Sequence, residues 1–329
     1  MEILILSADD VKKALPMNTA IEVTKRAYSR LSSGRVQMPL RSRIHIPKQE
    51  GVLLTMPAAI IDDKEIAVKI VSVFGNNLKR GLPLIHAVVI VLDAMNGKIL
   101  SLMDGEVLTA VRTGAGVGVA TDFLSPINSK IVAIIGSGKQ ARSQLEAVCE
   151  VRLIKQVRIY SPTKFNSQKF ADEMSGIGKI PKDIRVFSSP ADALKGADII
   201  CTATTSFNPV ISFKNIKHGA HINAVGSFQP KMQEIDSETI INSRVVVDSM
   251  ESALLETGDI VIPLKQGLIK KNHIYAEIGE IVNGEKKGRT SSKQLTFFKS
   301  CGVAAQDVVA AGIALENAKK KKLGEIVLL

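Results

Sequence analysis

The spacing of apolar positions over the first hundred residues predicts two helices followed by strands. Ser7-Ala8-Asp9-Asp10, followed by Val11, Leu15 and Pro16, reads as a short capped helix, and Asn18 to Leu31 as a longer amphipathic helix ending at Gly34. From Met38 through Ile46 the pattern becomes extended. Gly51 to Met56, Glu65 to Phe74 and Leu84 to Asp93 read as further strands, with Asn96-Gly97 a hairpin turn into Lys98 to Met103. A mostly antiparallel sheet is expected. Glu106 to Leu124 returns to helical spacing, and its small residues from Gly114 to Ala120 permit close packing, so it reads as the connector to a second domain.

Beyond the connector, strand and helix alternate. Ile131 to Ile135 is a short unbroken apolar run, the pattern of a fully buried parallel strand, followed by a helix from Gln140 to about Glu150. Strands are expected at Gln156 to Tyr160, Ile184 to Phe187, Asp198 to Thr205, His221 to Gly226 and Val245 to Asp248, with helices at Phe165 to Met174 and Pro190 to Leu194. Such alternation builds a doubly wound parallel sheet with its ligand crevice at the carboxyl edge. From Phe297 the chain carries a helix to about Lys320, and no further strand of that sheet is expected before the apolar tail Ile326 to Leu329. The last helix should return to the first domain. The expected division is therefore 1–120 plus 300–329 as one discontinuous domain and 121–299 as the other.

The strand at Ile131 runs into Gly136-Ser137-Gly138-Lys139-Gln140-Ala141, which fits G-x-G-x-x-A in the strand-to-helix setting that a dinucleotide cradle requires. Gly136 would make the tight turn, Gly138 would let backbone approach a pyrophosphate, and Ala141 would let the helix pack on its strand. The free N–H groups at the helix start would hold the phosphates. The acid that meets a ribose 2′-hydroxyl is expected about 20 residues past the glycines, but Ser161-Pro162-Thr163-Lys164 contains none. Ser161, Thr163 and Lys164 suit a 2′-phosphate, so NADPH is favoured, with NADH as the other cofactor. Thr204, Val225 and Gly226, at the ends of later strands, complete the expected cofactor lining. In the first domain Lys69 interrupts the apolar strand from Ile66 to Val73. A lysine there either sits at an exposed edge, meets an anion or acts as an acid.

Composition narrows the class. The chain has 329 residues, 45% of them hydrophobic, enough for two cores. The net charge of +11 and pI near 9.5 raise the question of nucleic acid, but aromatics are 4%, Trp is absent and the basic residues are interspersed with acids. Lys319 to Lys322 ends a helical run, where cations complement the dipole and stay solvated. A basic protein also attracts anionic small molecules, here a phosphorylated cofactor and a carboxylate. Neither a nucleic acid nor a membrane partner is expected, since no run approaches the roughly 20 apolar residues of a membrane span. The N-terminal Met1-Glu2-Ile3-Leu4-Ile5-Leu6 is too short, and its acid too early, for a signal peptide. Cys149, Cys201 and Cys301 are sparse and lack metal-type spacing, so no metal site is expected and a reducing, cytoplasmic compartment is. His45, His86 and His221 are given no role.

Several stretches together resemble the ornithine cyclodeaminase and mu-crystallin family: Met38-Pro39-Leu40-Arg41, Met56-Pro57-Ala58, Val68-Lys69, Leu108 to Gly114, the glycine motif, Ala203-Thr204-Thr205, Ala224-Val225-Gly226 and Gly302 to Asp307. The resemblance implies a Rossmann domain inserted into an α+β substrate and dimerisation domain, and a homodimer assembled through the latter. It also implies that Arg41, Lys69 and Arg112 hold a substrate carboxylate and that Asp307 lies near the substrate, making Lys69 and Asp307 the catalytic pair. In family cyclodeaminases and the archaeal-type alanine dehydrogenase, the resemblance implies, an aspartate that serves as general base follows the Val-Gly segment two residues on. Here that position is Phe228, which takes no proton. Glu234 and Asp236 follow, but the resemblance places them in the next turn and helix. The Gly226-Ser227-Phe228-Gln229-Pro230-Lys231-Met232 form is similar to that of the Δ1-pyrroline-2-carboxylate reductases. The expected activity is reduction of a cyclic imino acid, Δ1-pyrroline-2-carboxylate or its piperideine homologue, to L-proline or L-pipecolate. Ornithine cyclodeamination, an alanine dehydrogenase-like reaction and a non-catalytic binding role are the alternatives.

Overall fold

The structure, a computed structural model, describes residues 1–61 and 64–329. The chain divides into two compact units, Met1–Arg112 with Val303–Leu329, and Thr113–Gly302.

The first unit begins with β1 (Glu2–Leu6), α1 (Ala8–Ala14) and α2 (Met17–Ser32). Ser7 and Asp10 cap α1 reciprocally: the Ser7 hydroxyl accepts from Asp10 N–H at 3.3 Å, and the Asp10 carboxylate from Ser7 N–H at 3.0 Å. The strands β2 (Val36–Gln37), β3 (Ser42–Ile46), β4 (Gly51–Ile60), β5 (Glu65–Phe74), β6 (Ile85–Asp93) and β7 (Ile99–Asp104) follow, then α3 (Gly105–Leu124). β3 to β7 pair antiparallel in chain order. Strand alternation sorts their side chains: on β5, Ala67, Lys69 and Val71 point to the buried face, while Val68 and Ile70 share the other with Val88 and Ile90 of β6. That outer face is apolar and half-buried.

The border between the units falls inside α3, at Arg112/Thr113, rather than at 120/121, and after Gly302 rather than 299. Residues from Gly114 onward pack in the second unit. A Cβ on Gly114 would lie 2.5 Å from the Ser143 carbonyl oxygen, and Val117 joins a core with Ile134 and Leu145.

The second unit contains β8 (Ile131–Ile135), α4 (Lys139–Val151), β9 (Gln156–Tyr160), α5 (Lys164–Met174), β10 (Ile184–Val186), α6 (Pro190–Leu194) and β11 (Ile199–Thr202). It continues through β12 (His221–Ala224), α7 (Ser237–Ile241), β13 (Arg244–Val247), α8 (Met250–Glu256), α9 (Gly258–Lys265), β14 (Ile274–Glu277), α10 (Ile278–Val282) and β15 (Thr296–Lys299). The strand order is β10-β9-β8-β11-β12-β15-β13-β14, every pair parallel. Alternate residues of β8 feed two cores, Val132 and Ile134 on one face, Ala133 and Ile135 on the other, which is why its apolar run is unbroken. β15 corrects the expectation that the sheet gains no strand from the Phe297 region. Thr296–Lys299 lies in its middle, paired with β12 and β13. The charge on Lys299 hides the strand in the sequence, and burial beside an acid accommodates it.

The chain returns to the first unit with α11 (Ala304–Lys321) and β16 (Glu325–Leu328). α11 lies against β4, β5 and β6 and against α1 and α2. β16 pairs antiparallel with β1, which runs parallel to β7, giving the order β16-β1-β7-β6-β5-β4-β2 with β3 also on β4. β1 is absent from the sequence expectation, because its strand character comes from partners at the far end of the chain. Among the described residues no helix is long and apolar enough to cross a membrane.

Candidate functional site

Two constellations stand out, one in each unit. In the second unit, β8 and β11 are neighbours while the chain leaves β8 toward β9, so the strand order reverses between β8 and β11. Gly136 sits at that switch point with φ +108°, where a Cβ would come within 2.4 Å of the Ala203 carbonyl oxygen. Only glycine closes this turn. Gly138 is the N-cap of α4 with φ −78°, and a Cβ there would meet no atom within 4 Å. Among the described residues no side chain caps α4, and the buried Gln140 Oε1 has no partner. These features fit a pyrophosphate at a helix N-terminus. Ala141 is fully buried against the β8 core.

The loop of the cradle is braced by the residue just past the glycine motif, which carries no sequence signature of its own. Arg142 Nη1 donates to the Ser137 and Gly138 carbonyls, its Nε donates to Glu173 at 3.0 Å, and the guanidinium lies 5.2 Å from the centre of the Phe170 ring. Ser137 Oγ donates to Ser161 Oγ at 3.1 Å, joining the glycine loop to the end of β9. Thr163 and Lys164 are exposed at the start of α5.

Thr204, Val225 and Gly226 follow β11 and β12, at the carboxyl edge. Glu234 reaches both segments. Its carboxylate accepts from Thr204 N–H at 2.6 Å, Gly226 N–H at 2.6 Å, Thr202 Oγ1 at 2.9 Å and Ser227 N–H at 3.2 Å. Burial pushes the Glu234 pKa up, assisted by Asp259 and opposed by Lys299 and the Thr204 hydrogen bonds. Asp236 instead caps α7 and accepts from Phe213 N–H at 3.0 Å.

In the first unit the structure brings Lys69, Arg112 and Asp307 together. β5 presents Lys69 between buried Met56 of β4 and Val89 of β6, α3 presents Arg112, and the first turn of α11 presents Asp307. Lys69 Nζ lies 2.6 Å from Asp307 Oδ2 and Arg112 Nε lies 2.9 Å from Oδ1, with all three residues buried. Gln306 completes the cluster, accepting from Arg112 Nη1 at 3.2 Å and donating to the Arg112 carbonyl at 2.9 Å. Gln306 lies in the Gly302 to Asp307 stretch, where the sequence alone does not point to this place. Burial pulls the Lys69 pKa down to about 7, helped by the charges of Arg112 and Arg41 and opposed by Asp307. Burial works upward on Asp307, but Arg112 and Lys69 outweigh it and hold its carboxyl below the usual range. Arg41 precedes β3, is half-buried, and contributes its charge at Lys69. Lys69 and Arg112 face a single carboxylate, so with Lys69 protonated the cluster carries an excess of positive charge, suited to a carboxylate.

The remaining sequence candidates take structural or exposed places. His221 is fully buried between Thr296 and Asn223, and burial, then Arg289, pushes its pKa down to about 3, so it is neutral. His45 and His86 are exposed, as are Lys319 to Lys322. Phe228 is 36% exposed in the segment after β12.

Residues 1–322 match the ornithine cyclodeaminase/mu-crystallin family. A Bacillus cereus Δ1-pyrroline-2-carboxylate reductase is 39% identical over 323 residues, covering 98% of both chains. The ketimine reductase mu-crystallin of Rattus norvegicus is 36% identical over 316 residues, covering 95% of this chain and 96% of its own. The structure of Thermococcus litoralis Δ1-pyrroline-2-carboxylate reductase in complex with NADH and L-proline superposes with a TM-score of 0.95 at 43% identity, covering 99% of this chain and 100% of that one.

Proposed function

The chain belongs to the ornithine cyclodeaminase/mu-crystallin family, and on that premise we propose that it reduces the C=N bond of Δ1-pyrroline-2-carboxylate to give L-proline, accepting the six-membered piperideine homologue as a second substrate. The observation that carries the reading is the buried Lys69–Arg112–Asp307 cluster with its excess of positive charge. A reduced nicotinamide held by the glycine cradle would supply the hydride for this reduction. Arg112 and Arg41 hold the substrate carboxylate, and a planar guanidinium does so in one orientation. Lys69, turned by Asp307, gives the imine nitrogen its proton, so that C=N becomes CH–NH with hydride on carbon and proton on nitrogen. Phe228 offers no base to activate water, which favours reduction over deamination. The half-buried apolar face of Val68, Ile70, Val88 and Ile90 supports assembly of a homodimer through the first unit.

A paired assay tests this reading. NADPH or NADH oxidation with Δ1-pyrroline-2-carboxylate should be fast, and L-ornithine with NAD⁺ should release no ammonia. Ammonia release would replace the reductase reading with cyclodeamination.

The proton donor sets the pH dependence. With the Lys69 pKa pulled down to about 7, kcat/KM should fall as pH rises through that value, because the ammonium loses its proton. Lys69→Arg keeps its charge far above this range, so its residual activity should show no alkaline limb near 7. An unchanged limb in the variant would assign the titration to another group.

We also infer a preference for NADPH, carried by Ser161, Thr163 and Lys164 at the end of β9 and the lack of an acid among them. Ser161→Asp would place a carboxylate where a ribose hydroxyl is met and a 2′-phosphate repelled. The ratio of NADPH to NADH affinity should shift toward NADH by about tenfold or more, the scale of a lost charge-assisted contact. An unmoved ratio would take the 2′ position away from this loop.

A further inference from the structure

We propose that Glu234 is a positioning residue for the nicotinamide side of the cofactor site, holding the segments after β11 and β12 at one fixed separation. The inference rests on the dinucleotide-binding reading of the second unit. In a doubly wound sheet the pyrophosphate lies at the switch point and the ribose of the adenosine half is met at the end of the second strand, here β9. The ends of β11 and β12, beyond the switch point, are then left for the nicotinamide half.

Both ends are tied to one side chain. Glu234 Oε1 takes Thr204 N–H, while Oε2 takes Gly226 N–H, Ser227 N–H and the Thr202 hydroxyl. Each of these partners donates, so the group is matched as an anion, and charge-assisted bonds of this kind are about twice as strong as neutral ones. The two segments are also nearly in contact. A Cβ on Gly226 would lie 2.1 Å from the Thr204 carbonyl oxygen and 2.5 Å from Glu234 Oε1, so the gap has no room to narrow.

Glu234 is in turn held from behind. Its N–H and that of Ile235 donate to Asp259 Oδ1 at 2.8 and 3.1 Å, and Asp259 Oδ2 lies 3.2 Å from Lys299 Nζ at the end of β15. The side chains of Asp259 and Lys299 are completely inaccessible, and Glu234 is fully buried. Burying two carboxylates and one ammonium is costly, and an apolar cluster would fill this space more cheaply. What the charges accomplish here is the registration of two backbone segments at the edge of the cofactor crevice.

Glu234→Gln tests the assignment in the full-length protein. The amide keeps one acceptor but turns an NH₂ group toward donors. Affinity is measured with two probes: NADH, by its fluorescence, and ADP, which carries the adenosine side alone, by calorimetry. NADH affinity should fall about tenfold or more, the scale of losing hydrogen bonds to a charged group, while ADP affinity stays within about twofold. Thr202→Val removes one donor and keeps the side-chain shape, so it should move the same way by a smaller factor, and it decides the matter alone if Glu234→Gln does not fold. Equal losses on both probes would make Glu234 a general structural support, and unchanged NADH affinity in both variants would remove it from the site; either result overturns the proposal. Failure of the unmodified protein to bind NADH or NADPH would instead overturn the dinucleotide reading beneath it.

Discussion

Replacing Asp307 with asparagine is expected to lower stability by about 3 kcal/mol and to cut kcat/KM for the imine by about 10²–10⁴. The asparagine keeps the shape of the side chain and removes the anion that both Lys69 and Arg112 meet. Unpairing a buried charge costs about 3–5 kcal/mol, and the lower end applies because Lys69 has an escape. Burial and the charge of Arg112 already pull its pKa to about 7, and Asp307 is the group that opposes them. Without it the lysine sheds its proton at neutral pH rather than remaining as an uncompensated cation. The same escape ends its service as a proton donor, so stability and rate fall from one cause.

A double variant separates the two effects. Lys69→Met added to Asp307→Asn places an apolar side chain between Met56 and Val89, where no charge is wanted once the anion is gone. Part of the lost stability should return, read from urea unfolding, and none of the lost rate. Recovery of both would show that the ion pair matters for folding alone. A single variant with a normal rate would remove Asp307 from the chemistry.

Local pattern disclosed much of this fold. β5 and β8 stand where the apolar spacing placed them, since alternation and an unbroken run are properties of a few adjacent residues. Lys69 was conspicuous as a charge inside an apolar strand, but the choice between exposed edge and buried ion pair needed α11, whose first turn delivers Asp307 from the other end of the chain. β1, β15 and β16 escape the local pattern for a related reason. Each is short, and each is a strand because of partners remote in sequence. Thr296-Phe297-Phe298-Lys299 ends in a residue that ordinarily marks solvent, and Asp259 makes its burial tolerable. By the family resemblance Glu234 is expected in a turn. A carboxylate that collects backbone N–H groups from two strand ends has no sequence periodicity to betray it, although its place between Met232 and Ile235, both buried, was a signal of enclosure.

The two glycines of the cradle should respond to alanine in opposite ways. At Gly136 the backbone is left-handed at φ +108° and a Cβ would press to 2.4 Å from the Ala203 carbonyl oxygen, so Gly136→Ala strains the protein itself, by about 1–3 kcal/mol, before any ligand is present. Stability and dinucleotide affinity should fall together. At Gly138 the φ of −78° suits any residue and the added Cβ touches nothing within 4 Å. Gly138→Ala should therefore stay within about 1 kcal/mol of the parent, the reduced freedom of its unfolded chain offsetting alanine's poorer fit at an N-cap. Its methyl group would nevertheless stand at the mouth of an uncapped helix, where the reading requires backbone to approach a pyrophosphate. NADH and NADPH should bind it about tenfold or more weakly, a loss that no contact within the protein explains. Thermal unfolding and a fluorescence titration on the same sample read both quantities. Undiminished affinity in Gly138→Ala would make this an ordinary strand-to-helix turn and would move the cofactor, and with it the source of hydride, away from the switch point.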